Sequence, residues 1–215
     1  MKRGDTQIEN VYKILAEEFK KNHTPVVDLI EVQTGDPFKV LVATILSART
    51  KDEVTAAASR KLFARVNNHL ELGKLSEEEI RELIYPVGFY KTKAHHLKLL
   101  PDVLDKEFGG RIPEDVDVLT KLPGVGRKTA NLVVAVAFKK PAVCVDVHVH
   151  RIFNRLGYIN TKTPLETEME LRKIFPMKFW TTFNSYFVSF GQHRCSPIKP
   201  KCGGCPIAKY CAANK

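Results

Sequence analysis

Apolar positions recur with a helical period along most of the chain. Between Asp5 and Lys20, Ile8, Val11, Tyr12, Leu15 and Phe19 fall on one face and predict an amphipathic helix. Asp36-Pro37 supplies a capping carboxylate and a proline for the first helical position, and Val40, Leu41, Ile45 and Leu46 continue the second helix. Thr50/Glu53, Ser76/Glu79 and Thr163/Glu166 each set a hydroxyl three residues before a glutamate, the pattern of a capping box that opens a helix. Further helices are predicted from Thr92 to Phe108, closed by Gly109-Gly110, and from Arg127 to Lys139. Ala142 to Val149 alternates as a strand would. A lone strand has nothing to pair with, so this stretch reads as an extended link entering a helix near His148. The pattern is that of an all-α protein with a lobe boundary near Lys140-Pro141.

Composition narrows the function classes. Of the 215 residues 44% are hydrophobic, enough for a packed core. The longest apolar run, Leu132 to Phe138, is far shorter than the roughly 20 residues a membrane span needs. Met1-Lys2-Arg3 leads into polar residues, not a secretory signal, so a cytoplasmic, nucleoid-associated protein is expected. Lys and Arg total 34 against 24 Asp and Glu, a net charge of +10, which suits a polyanionic partner.

Four of the five cysteines crowd the C-terminus as Cys195-x6-Cys202-x2-Cys205-x5-Cys211, among Pro197, Pro200, Gly203, Gly204 and Pro206, which allow tight turns. In a reducing compartment this cluster binds metal; the spacing alone admits either a structural zinc or an iron–sulfur cluster. Cys144, in an apolar context, reads as a buried structural thiol.

Leu122-Pro123-Gly124-Val125-Gly126 joins two helical patterns. A hairpin of this kind turns backbone amides outward beside the positive end of the next helix, a device that binds phosphate without reading sequence. Arg127-Lys128 follows at once. A helix N-terminus beside other cations favours the neutral, nucleophilic form of an amine, which makes Lys128 a candidate nucleophile; a plain phosphate-contacting lysine is the simpler role. Asp146, in Val145-Asp146-Val147-His148, is a carboxylate set in an apolar segment, either an acid–base partner, a helix cap, or both.

The hairpin with Lys128-Thr129-Ala130-Asn131, the Val-Asp-Val-His segment and the cysteine tail occur here in an order that resembles the endonuclease III family of helix-hairpin-helix DNA glycosylases. The resemblance covers essentially the whole chain. It implies a two-lobed all-α fold: a helical barrel over 29–140, and a discontinuous cluster lobe from 1–28 and 141–215. It implies one [4Fe–4S] cluster on Cys195, Cys202, Cys205 and Cys211, Lys128 as Schiff-base nucleophile and Asp146 as catalytic carboxylate. The partner is double-stranded DNA with damaged bases or abasic sites, bound across the cleft by a monomer with the damaged nucleotide flipped out. Gly124, Val125, Gly126 and Arg127 would clamp backbone phosphate; Lys199 and Lys201 match the basic cluster loop.

One position departs from the family pattern. After Leu46-Ser47-Ala48 the family usually has a glutamine that fills the gap left by the flipped base; here it is Arg49. Phe89 stands at the family's apolar wedge position, with a core aromatic as its simpler role. Oxidised pyrimidines are the family's default substrates, and uracil or thymine opposite guanine stays open because of Arg49. The rivals are a monofunctional mismatch glycosylase, whose members generally lack lysine at position 128, and a non-catalytic DNA-binding module with structural zinc.

Overall fold

A computed structural model describes residues 3–21, 30 and 34–214, with no strand among them. The chain forms two compact units, one of Met1–Pro25 with Pro141–Lys215, the other Val26–Lys140. The expected lobe limit at 28/29 lies outside the described residues.

Within Val26–Lys140, the helices are Pro37–Ser47, Asp52–Phe63, His69–Lys74, Glu77–Ile84, Tyr90–Phe108, Val116–Leu119 and Arg127–Ala137. Pro37–Ser47 is apolar nearly all round, with Val40, Leu41, Val42 and Ala43 fully buried, and so becomes the central helix. It packs against Arg127–Ala137 and Asp52–Phe63, while Tyr90–Phe108 packs against His69–Lys74 and Glu77–Ile84. The core is aliphatic, with Leu41, Leu62, Leu72, Ile80, Leu97 and Leu104 inaccessible to water. Each such side chain stabilises the fold by about 1.5–3 kcal/mol relative to exposure.

The other unit holds helices Arg3–Lys21, Val147–Leu156, Pro164–Ile174 and Phe183–His193, and three short 3-10 turns at Met177–Phe179, Ala208–Tyr210 and Ala212–Asn214. Its core is aromatic. The Phe153 ring stacks on Phe187 at a centroid distance of 4.6 Å and meets Phe175 edge-on at 5.4 Å. Ile8, Val11 and Leu15 join this core from the first helix, which therefore docks on Phe183–His193 far along the chain.

Local capping follows the sequence where the partners are near neighbours. Asp36 accepts from Phe38 N at 2.9 Å, and Ser76 with Glu79 forms a complete capping box. Thr163 accepts from Glu166 N, but the Glu166 carboxylate reaches Lys162 N instead of closing the box. The expectation for Thr50 is overturned: Asp52–Phe63 starts after Lys51 with no side-chain cap. Thr50 Oγ1 instead accepts from Gly88 N and Lys93 Nζ, both at 3.2 Å, because these tertiary donors claim the hydroxyl. The helix expected to reach Lys139 ends at Ala137, and Lys139 has a positive φ of 54°. Among the described residues no helix is long and apolar enough to cross a membrane.

Candidate functional site

The hairpin lies in Val26–Lys140. Leu122 and Val125 are buried and anchor it, and Val125 N donates to Leu122 O at 3.1 Å. Between them Gly124 adopts φ +76°, and a Cβ there would stand 3.0 Å from the His96 ring, so both conformation and space call for glycine. Gly126 then caps Arg127–Ala137 and, having no side chain, makes no side-chain cap hydrogen bond to the positive end of that helix. Arg127 pairs with Asp117 at 3.0 Å on the surface. Lys128 is exposed on the first turn, while Thr129, Ala130 and Asn131 are buried and fix the turn to the core.

Asp146 belongs to the other unit. The link before it is extended and buried, with Val143 and Cys144 inaccessible and Cys144 O accepting from Asn184 Nδ2 at 3.1 Å. Asp146 caps Val147–Leu156, accepting from His148 N and Val149 N at 2.9 Å. Both bonds end on Oδ1, so capping leaves Oδ2 for other work. His148 Nδ1 lies 2.9 Å from the Arg151 guanidinium.

Cys195, Cys202, Cys205 and Cys211 line one cavity of about 240 Å³ together with Ile152, Leu156, Phe190 and Ile207. Four thiols around a space of this size suit a polynuclear cluster, which four cysteine thiolates hold. Burial pushes the Cys205 thiol up, and metal coordination is what holds such a thiol deprotonated. Arg155 braces the loop, donating to Cys195 Sγ at 3.2 Å, Ser196 O at 2.8 Å and Pro197 O at 2.9 Å. Arg151 donates to Cys195 O at 2.8 Å. Neither arginine was visible as functional in the sequence; their spacing of four on one helix face is the signal that could have found them. Lys199, with φ +51°, and Lys201 are exposed on this loop.

Arg49 and Phe89 come together on Val26–Lys140. Both are exposed, both have positive φ (54° and 57°), and the Arg49 guanidinium lies 5.5 Å from the centre of the Phe89 ring. The simpler reading of Phe89 as a core aromatic fails, since 62% of it is exposed. Beneath them Lys93, only 7% exposed, donates to Leu46 O, Ala48 O and Thr50 Oγ1. The sequence reading missed Lys93, although it stands in register with Leu97, Leu100 and Leu104 on a buried helix face.

Comparison with known proteins decides the family. Residues 42–177 match the model of the HhH-GPD superfamily base excision DNA repair protein, and residues 195–211 match the iron-sulfur binding domain of endonuclease III. The chain is 43% identical to endonuclease III of Thermotoga maritima over 95% of its own length and 92% of that protein's. The chain belongs to the endonuclease III family. Its fold matches a solved structure of a trapped endonuclease III–DNA covalent intermediate with a TM-score of 0.87 and 34% identity, covering 98% of this chain and 96% of that one. A thermostable thymine-DNA glycosylase aligns with a TM-score of 0.85 at 26% identity, over 98% and 97% of the two chains. As a member of the endonuclease III family, the protein is a base excision repair DNA glycosylase and abasic-site lyase that acts on damaged pyrimidines, binds DNA and carries a [4Fe–4S] cluster.

Proposed function

We propose that Lys128 is the nucleophile, Asp146 its carboxylate partner, and oxidised pyrimidines in duplex DNA the substrates of a monomeric, nucleoid-associated enzyme. The carrying observation is the setting of Lys128: exposed, on the first turn of a helix that no side chain caps, directly behind the Gly124–Gly126 turn. Backbone amides of Gly124 and Gly126 with the Arg127 guanidinium hold a phosphate of the damaged strand, while Val125, whose N–H is already given to Leu122 O, anchors the turn. The surface pair of Arg127 with Asp117 is weak enough to be exchanged for phosphate.

Lys128 Nζ attacks C1′ of the flipped nucleoside, the C1′–N bond breaks and the base leaves with its electron pair. Asp146 stabilises the positive charge growing on the sugar and takes a proton through Oδ2 while Oδ1 keeps the helix capped. The C1′–O4′ bond of the resulting aminal then breaks as O4′ takes back the proton that Asp146 accepted, which leaves a protonated Schiff base between C1′ and Lys128. This acidifies the C2′ proton, whose loss to solvent expels the 3′ phosphate and cuts the strand on that side. Cys195, Cys202, Cys205 and Cys211 hold the cluster, which supplies four metal–sulfur bonds that tie the loop presenting Lys199 and Lys201 to phosphate. Borohydride should trap the wild-type protein covalently on lesion-bearing duplex, and Lys128→Gln should trap none. If Lys128→Gln cut abasic DNA at the wild-type rate, a monofunctional glycosylase would be the better reading.

A further inference from the structure

We propose that Lys93 is a positioning residue for lesion recognition: from beneath the surface it locks the turn bearing Arg49 to the turn bearing Phe89, so that both side chains are presented together for insertion where a nucleotide leaves the stack. The inference rests on the reading of Arg49 and Phe89 as the side chains that fill that gap.

Three independent observations carry it. First, the ammonium has three donors, and three oxygens receive them: Leu46 O at 2.8 Å, Ala48 O at 2.6 Å and Thr50 Oγ1 at 3.2 Å. The two carbonyls lie at the C-terminal end of Pro37–Ser47 and just beyond, where the helix dipole is negative, so a cation is held without any bonded carboxylate. Burial lowers the Lys93 pKa to about 8, which leaves it charged at neutral pH. Secondly, the two turns are fastened directly above it. Gly88 N donates to Thr50 Oγ1, and a Cβ on Gly88 would stand 2.5 Å from Arg49 O, so the two backbones touch. Lys93 stands in the first turn of the Tyr90–Phe108 helix that Phe89 opens, and the ordinary helical bond from Lys93 N to Phe89 O at 3.0 Å sets its side chain one turn from Phe89.

Thirdly, Arg49 and Phe89 each adopt a left-handed backbone conformation that neither residue type favours. Such conformations persist only where the surroundings over-determine them. Lys93 supplies that determination on the Arg49 side, by holding the carbonyls immediately before the turn. A buried ammonium is an expensive way to fill space in an aliphatic core, and a methionine of similar length would pack there without a desolvation cost. Its presence is explained by what it fastens.

The test is a set of single-turnover rates on two probes, a duplex containing thymine glycol and the same duplex with a pre-formed abasic site. The proteins are the wild type, Lys93→Met, Arg49→Ala/Phe89→Ala, and the triple variant, each with its cluster in place. Lys93→Met should slow thymine glycol excision about tenfold or more, since small misplacements of positioning groups carry costs of this order. Its loss on the abasic site should be several times smaller, because no base has to be extracted there. In the Arg49→Ala/Phe89→Ala background the same change should cost less than about twofold, as coupled residues in one network are not additive. Lys93→Gln, which keeps a donor, should recover part of the rate. An equal loss on both probes, or the full loss in the double-variant background, would overturn the proposal. If Arg49→Ala/Phe89→Ala itself excised like the wild type, the underlying reading of those two side chains would fail instead.

Discussion

The 195–211 loop and the paired turns at 47–50 and 85–90 both carry exposed side chains that we propose meet DNA, and both place a non-glycine residue at positive φ: Lys199 in the first, Arg49 and Phe89 in the second. They are held in shape differently. Around the four cysteines the backbone makes a few short turns, such as Cys205 N to Cys202 O at 3.0 Å, over a cavity that all four thiols line. In the paired turns Lys93, Thr50 and Gly88 interlock with one another. A loop organised by a bound group depends on that group, whereas a loop organised by a buried side chain depends only on the fold beneath it.

The largest effect should come from removing a cysteine. In Cys202→Ala the brown colour and iron should fall away, and amide exchange should quicken through 195–211 and in Val147–Leu156 and Phe183–His193, whose Ile152, Leu156 and Phe190 line the cavity. Metal ligation contributes folding free energy outright in small metal-organised segments, by several kcal/mol. Exchange in Pro37–Ser47 and Tyr90–Phe108 should stay as it was, because their packing partners lie within Val26–Lys140. Full iron content in Cys202→Ala would remove this residue from the ligand set.

A smaller effect is expected on the other side of the comparison. Gly88→Ala puts a methyl group against backbone that cannot move aside, an overpacking worth about 1–3 kcal/mol. The thermal midpoint should fall by about 2–4 °C for each kcal/mol in a chain of this size. Thymine glycol excision should slow, while iron content and colour stay at the wild-type level. A variant that loses iron as well would mean that the two loops do not depend on separate supports.

The two regions also differ in how far the sequence revealed them. Asp146 as a helix cap, the Ser76/Glu79 box and the four-cysteine spacing were all legible, since the partners stand within a few residues and local geometry decides the bond. Thr50 carried the same local signature as Ser76, yet its hydroxyl went to Gly88 and Lys93, 38 and 43 residues on. Nothing in a capping pattern records that competition. Lys93 was illegible for the same reason: its carbonyl partners lie 45 and 47 residues earlier, and backbone acceptors leave no mark on residue identity. Arg151 and Arg155 bind the cysteine loop by backbone carbonyls too, and were equally hidden. The cofactor was foreseen from the family resemblance, since spacing alone left zinc and iron–sulfur open.

The smallest effect concerns Arg49, and it probes what the interlocked turns are for. In the protein without DNA its guanidinium rests over the Phe89 ring at 5.5 Å, an exposed cation–π contact worth about 0.5–1 kcal/mol. On the proposed roles of the two side chains, the guanidinium gives up that contact to meet the base left unpaired by flipping, while Phe89 wedges into the stack. Guanine offers two acceptors that match an arginine fork, a pairing that discriminates by about 1–3 kcal/mol against other bases. Subtracting the lost ring contact leaves about 0–2.5 kcal/mol, a preference for lesions opposite guanine of at most roughly 70-fold. Arg49→Gln should flatten that preference and leave borohydride trapping on a pre-formed abasic site intact, because Lys128 is untouched. The measurement is single-turnover excision of one lesion placed opposite each of the four bases, in wild type and variant. Because Arg49 reaches the gap only from a turn fixed by Lys93, Lys93→Met should flatten the same profile in the same direction; identical profiles in wild type and Arg49→Gln would show that the orphaned base is not read by this side chain.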